Sequence, residues 1–280
     1  MDMGFEVVHG NPQTIWAPVV NSDTLYVGQL VRCNNEGVEP FVQASGLADQ
    51  ARKMAAVALI ADGVLANNQL FGVVIGTNKR TPTFNTTYKA EYITYVSPAS
   101  ASSGDYFGVE GVWAKGDLQA MVKVALITSE TVLRGPIYNA AYGTAPTVLT
   151  VASGASTTGC TTNASESTNV ASEATIYFRT GAAAGCYRIC DGTSATAQTW
   201  DIPTGTTCAV GDTAVKVQLR TLGQSKIMLD SEATYIDNNA ELTSHYHLID
   251  VIRLDLSEAG KEYAEFRMST YTMLSYDDIA

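Results

Sequence analysis

Basic residues are scarce in this chain. Lys and Arg together number 17 against 28 Asp and Glu, which leaves a net charge of −11. Charged residues make up only 16% of the 280 residues, where ordinary globular domains carry roughly 25%. Nucleic-acid binding depends on Lys and Arg replacing phosphate counterions, and the basic residues here are scattered with no stripe or run. The sequence therefore excludes a nucleic-acid partner and an anionic membrane surface as expected ligands. No run reaches the roughly 18 consecutive apolar residues of a membrane span. The start, Met1-Asp2-Met3-Gly4-Phe5-Glu6, is acidic and lacks the positive and apolar regions of a secretory signal. The expectation is a chain made on the cytoplasmic side, with no signal peptide and no transmembrane segment.

Chemistry-bearing residues are equally sparse. The three histidines are His9, His245 and His247. His245 and His247 flank Tyr246 at the start of a predicted strand, so period 2 puts both imidazoles on one face. Such a pair can share a metal, with Glu241 or Asp250 as added carboxylate, but Asp250 falls on the opposite face. No third ligand has suitable spacing, and two exposed or edge-strand histidines are the simpler reading. The five cysteines are Cys33, Cys160, Cys186, Cys190 and Cys208. Only Cys186 and Cys190 approach metal-ligand spacing. In an extended segment their sulfurs would stand about 13 Å apart at ~3.3 Å per residue, too far for one metal or one disulfide. Zinc, one or two disulfides, and free buried thiols all stay open, with free thiols favoured. There is no Gly-x-Ser-x-Gly elbow, no cysteine-protease signature, no Walker A sequence and no Gly-x-Gly-x-x-Gly around Gly108, Gly111 and Gly116. The acidic group Asp230, Glu232, Asp237 and Glu241 reads as solvated loop residues. Sequons at Asn85 and Asn163 matter only on a secretory route. The expectation is no catalytic residue, no cofactor, no metal and no small-molecule substrate.

What the chain does have is β-branched, aromatic and small polar residues. Hydrophobic residues reach 46%, broken by Asn, Gly, Ser and Asp turns, so the fold class expected is mainly β with little helix. Thr14 to Val20, Leu25 to Cys33, Leu70 to Thr77 and Tyr88 to Val96 read as strands, and Leu47 to Ile60 as a short helix or turn running into a strand. Ser97 to Gly104 reads as a linker. Tyr106 to Trp113 and Met121 to Ile127 read as a strand pair. From Gly135 to Phe178 the only charges are Glu166 and Glu173. This stretch reads as strands Thr147 to Val151 and Ala174 to Arg179 around a long loop near Gly154 to Val170. Val215 to Leu219 alternates as a half-buried strand would. Tyr246 to Leu256 and Glu262 to Met273 read as the longest strands, joined by a hairpin at Ser257 to Lys261. Four divisions follow: 1–97, a small β-barrel-like domain; 98–134, linker and connecting strands; 135–225, a low-charge Thr/Ser/Gly-rich β-sandwich or barrel-like domain or insertion; and 226–280, final strands and tail.

A polar but weakly charged surface suits a chain covered by neighbours, because burying an unpaired charge is costly and burying a bonded hydroxyl is not. The run Leu25-Tyr26-Val27-Gly28-Gln29-Leu30-Val31, then Val57-Ala58-Leu59, then Leu70-Phe71-Gly72-Val73-Val74-Ile75-Gly76 resembles the small β-barrel modules of head-decoration and auxiliary capsid proteins of tailed bacteriophages. The resemblance covers the N-terminal quarter of the chain, which is longer than the small members of that family. It implies a virion protein that binds the outside of a capsid lattice, often as a homo-oligomer, with copies of itself and the shell protein as partners. The segments Pro12 to Val20 and from Tyr271 onward are the expected contacts. Alternatives are a tail-tube or head–tail connector subunit, and a carbohydrate-binding or adhesive module using Trp113 and Trp200 as sugar platforms.

Overall fold

In a computed structural model of the chain, the residues described are 4–19, 23–33, 38–40, 70–96, 105–107, 120–164, 174–191, 196–220, 223–225, 227–229, 233–241 and 249–268. They form strands and no helix, so the protein is mainly β, in several sheets. No helix among them is long and apolar enough to cross a membrane. The chain divides into two compact units, the first drawn from Met1–Gly135, Leu229–Tyr235 and Arg267–Ala280, the second from Pro136–Met228 and Ile236–Phe266. The expected linker (97–104), the 47–60 segment and residues 108–119 lie outside the described residues.

The first unit holds, in chain order, β1 (Glu6–His9), β2 (Thr14–Pro18), β3 (Thr24–Tyr26), β4 (Leu30–Cys33), β5 (Val38–Pro40), β6 (Leu70–Thr77), β7 (Thr83–Phe84), β8 (Glu91–Thr94) and β9 (Met121–Leu126). An antiparallel sheet runs β2-β9-β6-β4-β5, and a smaller one runs β3-β8-β7. Val122 and Val124 of β9 pack with Ala17, Val31, Val74, Leu25 and Ile93 into one core.

Three sequence expectations change here. Leu25 to Cys33 is two strands in two sheets, because the chain reverses at Val27-Gly28. Gly28 takes φ +88°, and the Gln29 side chain accepts the Tyr26 amide at 2.9 Å to close the turn. Met121 to Ile127 does not pair with a strand at Tyr106. Both edges of β9 are taken, by β2 and β6, and Tyr106 makes only a single bridge to Lys79. Of Tyr88 to Val96, only Glu91–Thr94 is strand. Asn85 Oδ1 accepts the amides of Thr87 and Tyr88, an Asx turn that holds the preceding segment off the sheet.

β10 (Val132–Tyr138) begins in the first unit, where its first residues pair with β1, and runs on into the second, which continues with β11 (Val148–Ser153), β12 (Gly159–Thr162), β13 (Thr175–Phe178), β14 (Tyr187–Ile189), β15 (Ala197–Thr199) and β16 (Thr213–Val217). After them come β17 (Gly223–Ser225), β18 (Ile227–Leu229), β19 (Ile236–Glu241), β20 (Ile249–Asp255) and β21 (Tyr263–Met268). The Thr-rich segment folds as a sheet ordered β14-β13-β16-β11-β12-β15, and the later strands as β17-β20-β21-β10-β19-β18. The expected loop from Gly154 therefore contains a strand, β12, which pairs with β11 and β15. Nor is Val215 to Leu219 half-buried. β16 lies between β11 and β13, and Ala214 through Leu219 are all buried, Lys216 and Gln218 included. The β20–β21 hairpin is as expected, with Ala264, Phe266 and Met268 buried and Arg267 exposed, but among the described residues its strands are not the longest, since β6 has 8 residues against 7 and 6. Glu265 departs from the alternation at 8% exposure.

Inside this unit the two sheets are tied by polar side chains. Arg179, just past β13, forms an ion pair with Glu262 at the start of β21, and its Nε donates to Leu256 O at 2.9 Å. The two side chains are 10% and 0% exposed. Tyr187 Oη donates to Leu254 O at 3.2 Å. Asn238 Oδ1 accepts the Gln218 amide at 2.8 Å while its Nδ2 donates to Asn139 Oδ1 at 2.9 Å. Removing one partner of a buried pair strands the other charge. Glu262→Gln and Arg179→Met should each lower unfolding free energy by about 3–5 kcal/mol, read from urea denaturation. The double variant should recover part of that loss.

The hairpin adds a pH-dependent contribution. Asp255 accepts from Ser257 Oγ at 2.6 Å, Ser257 N at 3.2 Å and Tyr263 Oη at 3.2 Å. The Ser257 hydroxyl, first among these, holds the carboxyl below the usual carboxylate range. A folded-state value below the unfolded one stabilises above the unfolded value, about 3.9, and that contribution is lost as pH falls through the folded value. Asp255→Asn should melt below wild type at neutral pH, and thermal melts should show the gap closing below about pH 4.

Candidate functional site

A concavity lies in the first unit. Its volume is about 490 Å³, and its lining includes Phe5, Val7, Pro12, Val27, Ile75 and Ala125. Its charged member, Glu6, is paired with Arg134 at 3.1 Å. The groove owes its shape to a close backbone crossing. Phe5 N donates to Gly28 O at 2.6 Å, and Gly28 N donates to Val74 O at 2.8 Å. A Cβ on Gly4 would sit 2.6 Å from Gly28 Cα, and Gly4 itself takes φ +103°, a region that side chains avoid. β6 has an irregular register against β9 between Val74 and Gly76. A bulge re-aims the residue it contains, and Ile75 is left 42% exposed at the groove.

Beside the groove runs β2, the end strand of its sheet among the described residues. The expected contact segment Pro12 to Val20 is thus no free arm. Its residues Thr14–Pro18 are spent on β9, because an extended apolar segment gains most by pairing within its own chain. What it offers outward is a sheet edge, with Ile15 36% exposed and Trp16 set edge-on to Phe107 at 6.0 Å. Edge plus apolar groove is a geometry that accepts an extended segment: main-chain bonds give affinity, and the groove takes side chains. The sequence carried part of the signal in Gly4, Gly10 and Gly28, but a glycine does not reveal which backbone crosses it. The C-terminal contact segment from Tyr271 lies outside the described residues.

His245, His247, Asp230, Glu232 and Trp113 lie outside the described residues, and His9 ends β1. Asp237 accepts the Ala140 amide at 3.1 Å, a loop-closing role. No group of three His, Cys, Asp or Glu among the described residues is placed to hold a metal. Trp200 is no sugar platform. It is 2% exposed, its ring set edge-on to Phe178 at 5.6 Å and its Nε1 donating to Thr157 O at 2.8 Å. A large ring in a segment poor in other large side chains is the natural centre of that sheet's core. Cys160, Cys190 and Cys208 are buried around it and Cys186 is partly buried. Burial pushes the Cys160 thiol up to about 12 and the Cys190 thiol up to about 11, which makes them poor nucleophiles.

One carboxylate pair escaped the sequence reading. Asp191, bonded by the Thr199 hydroxyl at 2.5 Å, is held below the usual range, and its hydrogen bond to Asp201 raises the latter. Both are fully exposed, where water screens the interaction.

Gly4→Ala should cost about 2 kcal/mol or more, from backbone strain and the clash with Gly28, measured as a lower urea midpoint. Compared with protein-family models, curated proteins and solved structures, the chain matches none.

Proposed function

We propose that the chain is a non-enzymatic structural subunit of a large protein assembly, and that its place is the outside of a tailed-bacteriophage capsid, as a decoration or auxiliary protein. Its partners are copies of itself and the shell lattice. The observation that carries this reading is the edge strand β2 beside the apolar groove with Ile15 and Ile75 exposed. A neighbouring chain can lay an extended segment along that edge and seat apolar side chains in the groove. The low-charge Thr-rich segment supports it further. Ile202 at 73% and Val210 at 67% exposure are large apolar side chains held out to solvent there, the kind of surface that a neighbour covers. Binding here would work by area, with modest contacts multiplied by symmetry and avidity.

Ile75→Asp places an unpaired carboxylate in the groove. It should weaken association with shells by roughly tenfold or more while shifting monomer stability by no more than about 0.5 kcal/mol. Cosedimentation with undecorated capsids and electron microscopy of native particles read the two arms. A surface layer that Ile75→Asp removes supports the proposal. Rings or tubes would assign the chain to a tail or connector instead, and a stable monomer with no large assembly in its source overturns the structural role altogether.

A further inference from the structure

Cys160 lies in β12 and Cys208 in the loop that leads to β16. They are 5% and 1% exposed, in the core built around Trp200 and Phe178. The Cys208 thiol reaches over the turn that feeds β12, with its Sγ 3.4 Å from Ser156 O and 3.9 Å from Gly159 O, the neighbour of Cys160. Both are free thiols in the structure. Cys190 belongs to the same core, but its Sγ is directed to Gln198 Oε1 at 3.9 Å. Cys186 packs at the margin of that core. Four cysteines therefore share one small region, and the Cys208 thiol is the one that reaches the backbone directly beside Cys160.

We infer that Cys160 and Cys208 are a disulfide-forming pair, closed when the chain folds in the presence of a low-molecular-weight disulfide oxidant. One cysteine of the pair, as its thiolate, attacks the small disulfide, joins one of its sulfurs and expels the other half as a thiolate. The second cysteine gives up its proton and attacks the mixed disulfide, forming the Cys160–Cys208 bond and releasing the remaining half. Two protein thiols are oxidised and one small disulfide is reduced to two thiols. Burial makes both steps slow in the folded state, where little thiolate is present and access is poor. The bond is accordingly a product of folding or of transient opening, and the reduced pair persists inside a reducing cytoplasm. It would tie β12 to the Cys208 loop across a long intervening segment, where a cross-link constrains the unfolded chain most.

The test is to denature the full-length reduced protein in urea and refold it with oxidised and reduced glutathione. Free thiols are then blocked and the unreduced peptides mapped by mass spectrometry. The expected result is one dominant linked pair, Cys160 with Cys208, two hydrogens lighter than the reduced peptides and reopened by a phosphine reductant. Its melting temperature should rise by roughly 5–10 °C over the reduced protein. In Cys208→Ser, Cys160 should stay free and not transfer to Cys190. Linkage of Cys160 to any other cysteine, or all thiols blocked after oxidative refolding, overturns the inference. The wild-type map alone decides this if the variant fails to fold.

Discussion

Every backbone N–H and C=O that leaves water must find a partner, and among the described residues of this chain no helix supplies one locally. Each segment is satisfied only by another, often distant in sequence. That requirement sets the rank of every strand. β9 and β16 sit between two neighbours and are buried on both faces. β2 ends a sheet, with one side paired to β9. An edge is the place where strand pairing remains unfinished, and it is where a sheet protein either defends itself or accepts a partner. The proposed docking surface follows from this position more than from any particular side chain.

The same constraint explains the polar residues held inside. Sheets end in turns, and turns expose backbone groups that strands do not satisfy. Asn78 is fully buried in the first unit because its side chain accepts the Met121 amide and donates to Phe107 O. Asn238 does comparable work for Gln218 in the second. Arg179 caps Leu256 O while paired with Glu262. In a chain with few charges, the buried Arg179 and Glu262 are paired with each other, which is what their desolvation demands. The neutral Thr/Ser surface needs no such arrangement. Its hydroxyls bond to adjacent hydroxyls and carbonyls, as in Thr180 with Thr213 and Ser156 with Gly159 O.

Legibility of the fold varied with the physics of each segment. Leu70 to Thr77 was readable to the residue, since a β-branched run between turns has one reading. The β20–β21 hairpin was readable because alternation and a polar turn agree. β12, with sequence Gly-Cys-Thr-Thr, was not, because small polar residues have weak intrinsic preference and become a strand only through β11 and β15. β10 was passed over for a similar reason, since Gly135 and Pro136 interrupt its pattern. Leu25 to Cys33 looked continuous because nothing in its hydrophobicity marks the turn that Gly28 and Gln29 make. Of the candidate site, the segment Pro12 to Val20 was legible and its pairing with β9 was not. Trp200 was legible as a large aromatic side chain, and only packing showed which side of the sheet it faces.

The sequence by itself determined that this is a β chain with a sparsely charged surface, no basic stripe and no recognisable catalytic motif. Composition and local pattern suffice for these, because they depend on what residues are and on their immediate neighbours. Only the tertiary structure decided which strands are central and which lie at an edge, where Gly4 crosses Gly28 to shape a groove, and that cysteines far apart in sequence gather in one core. Those are long-range pairings, and their free energy lies in contacts between segments that carry no mark of one another in the sequence.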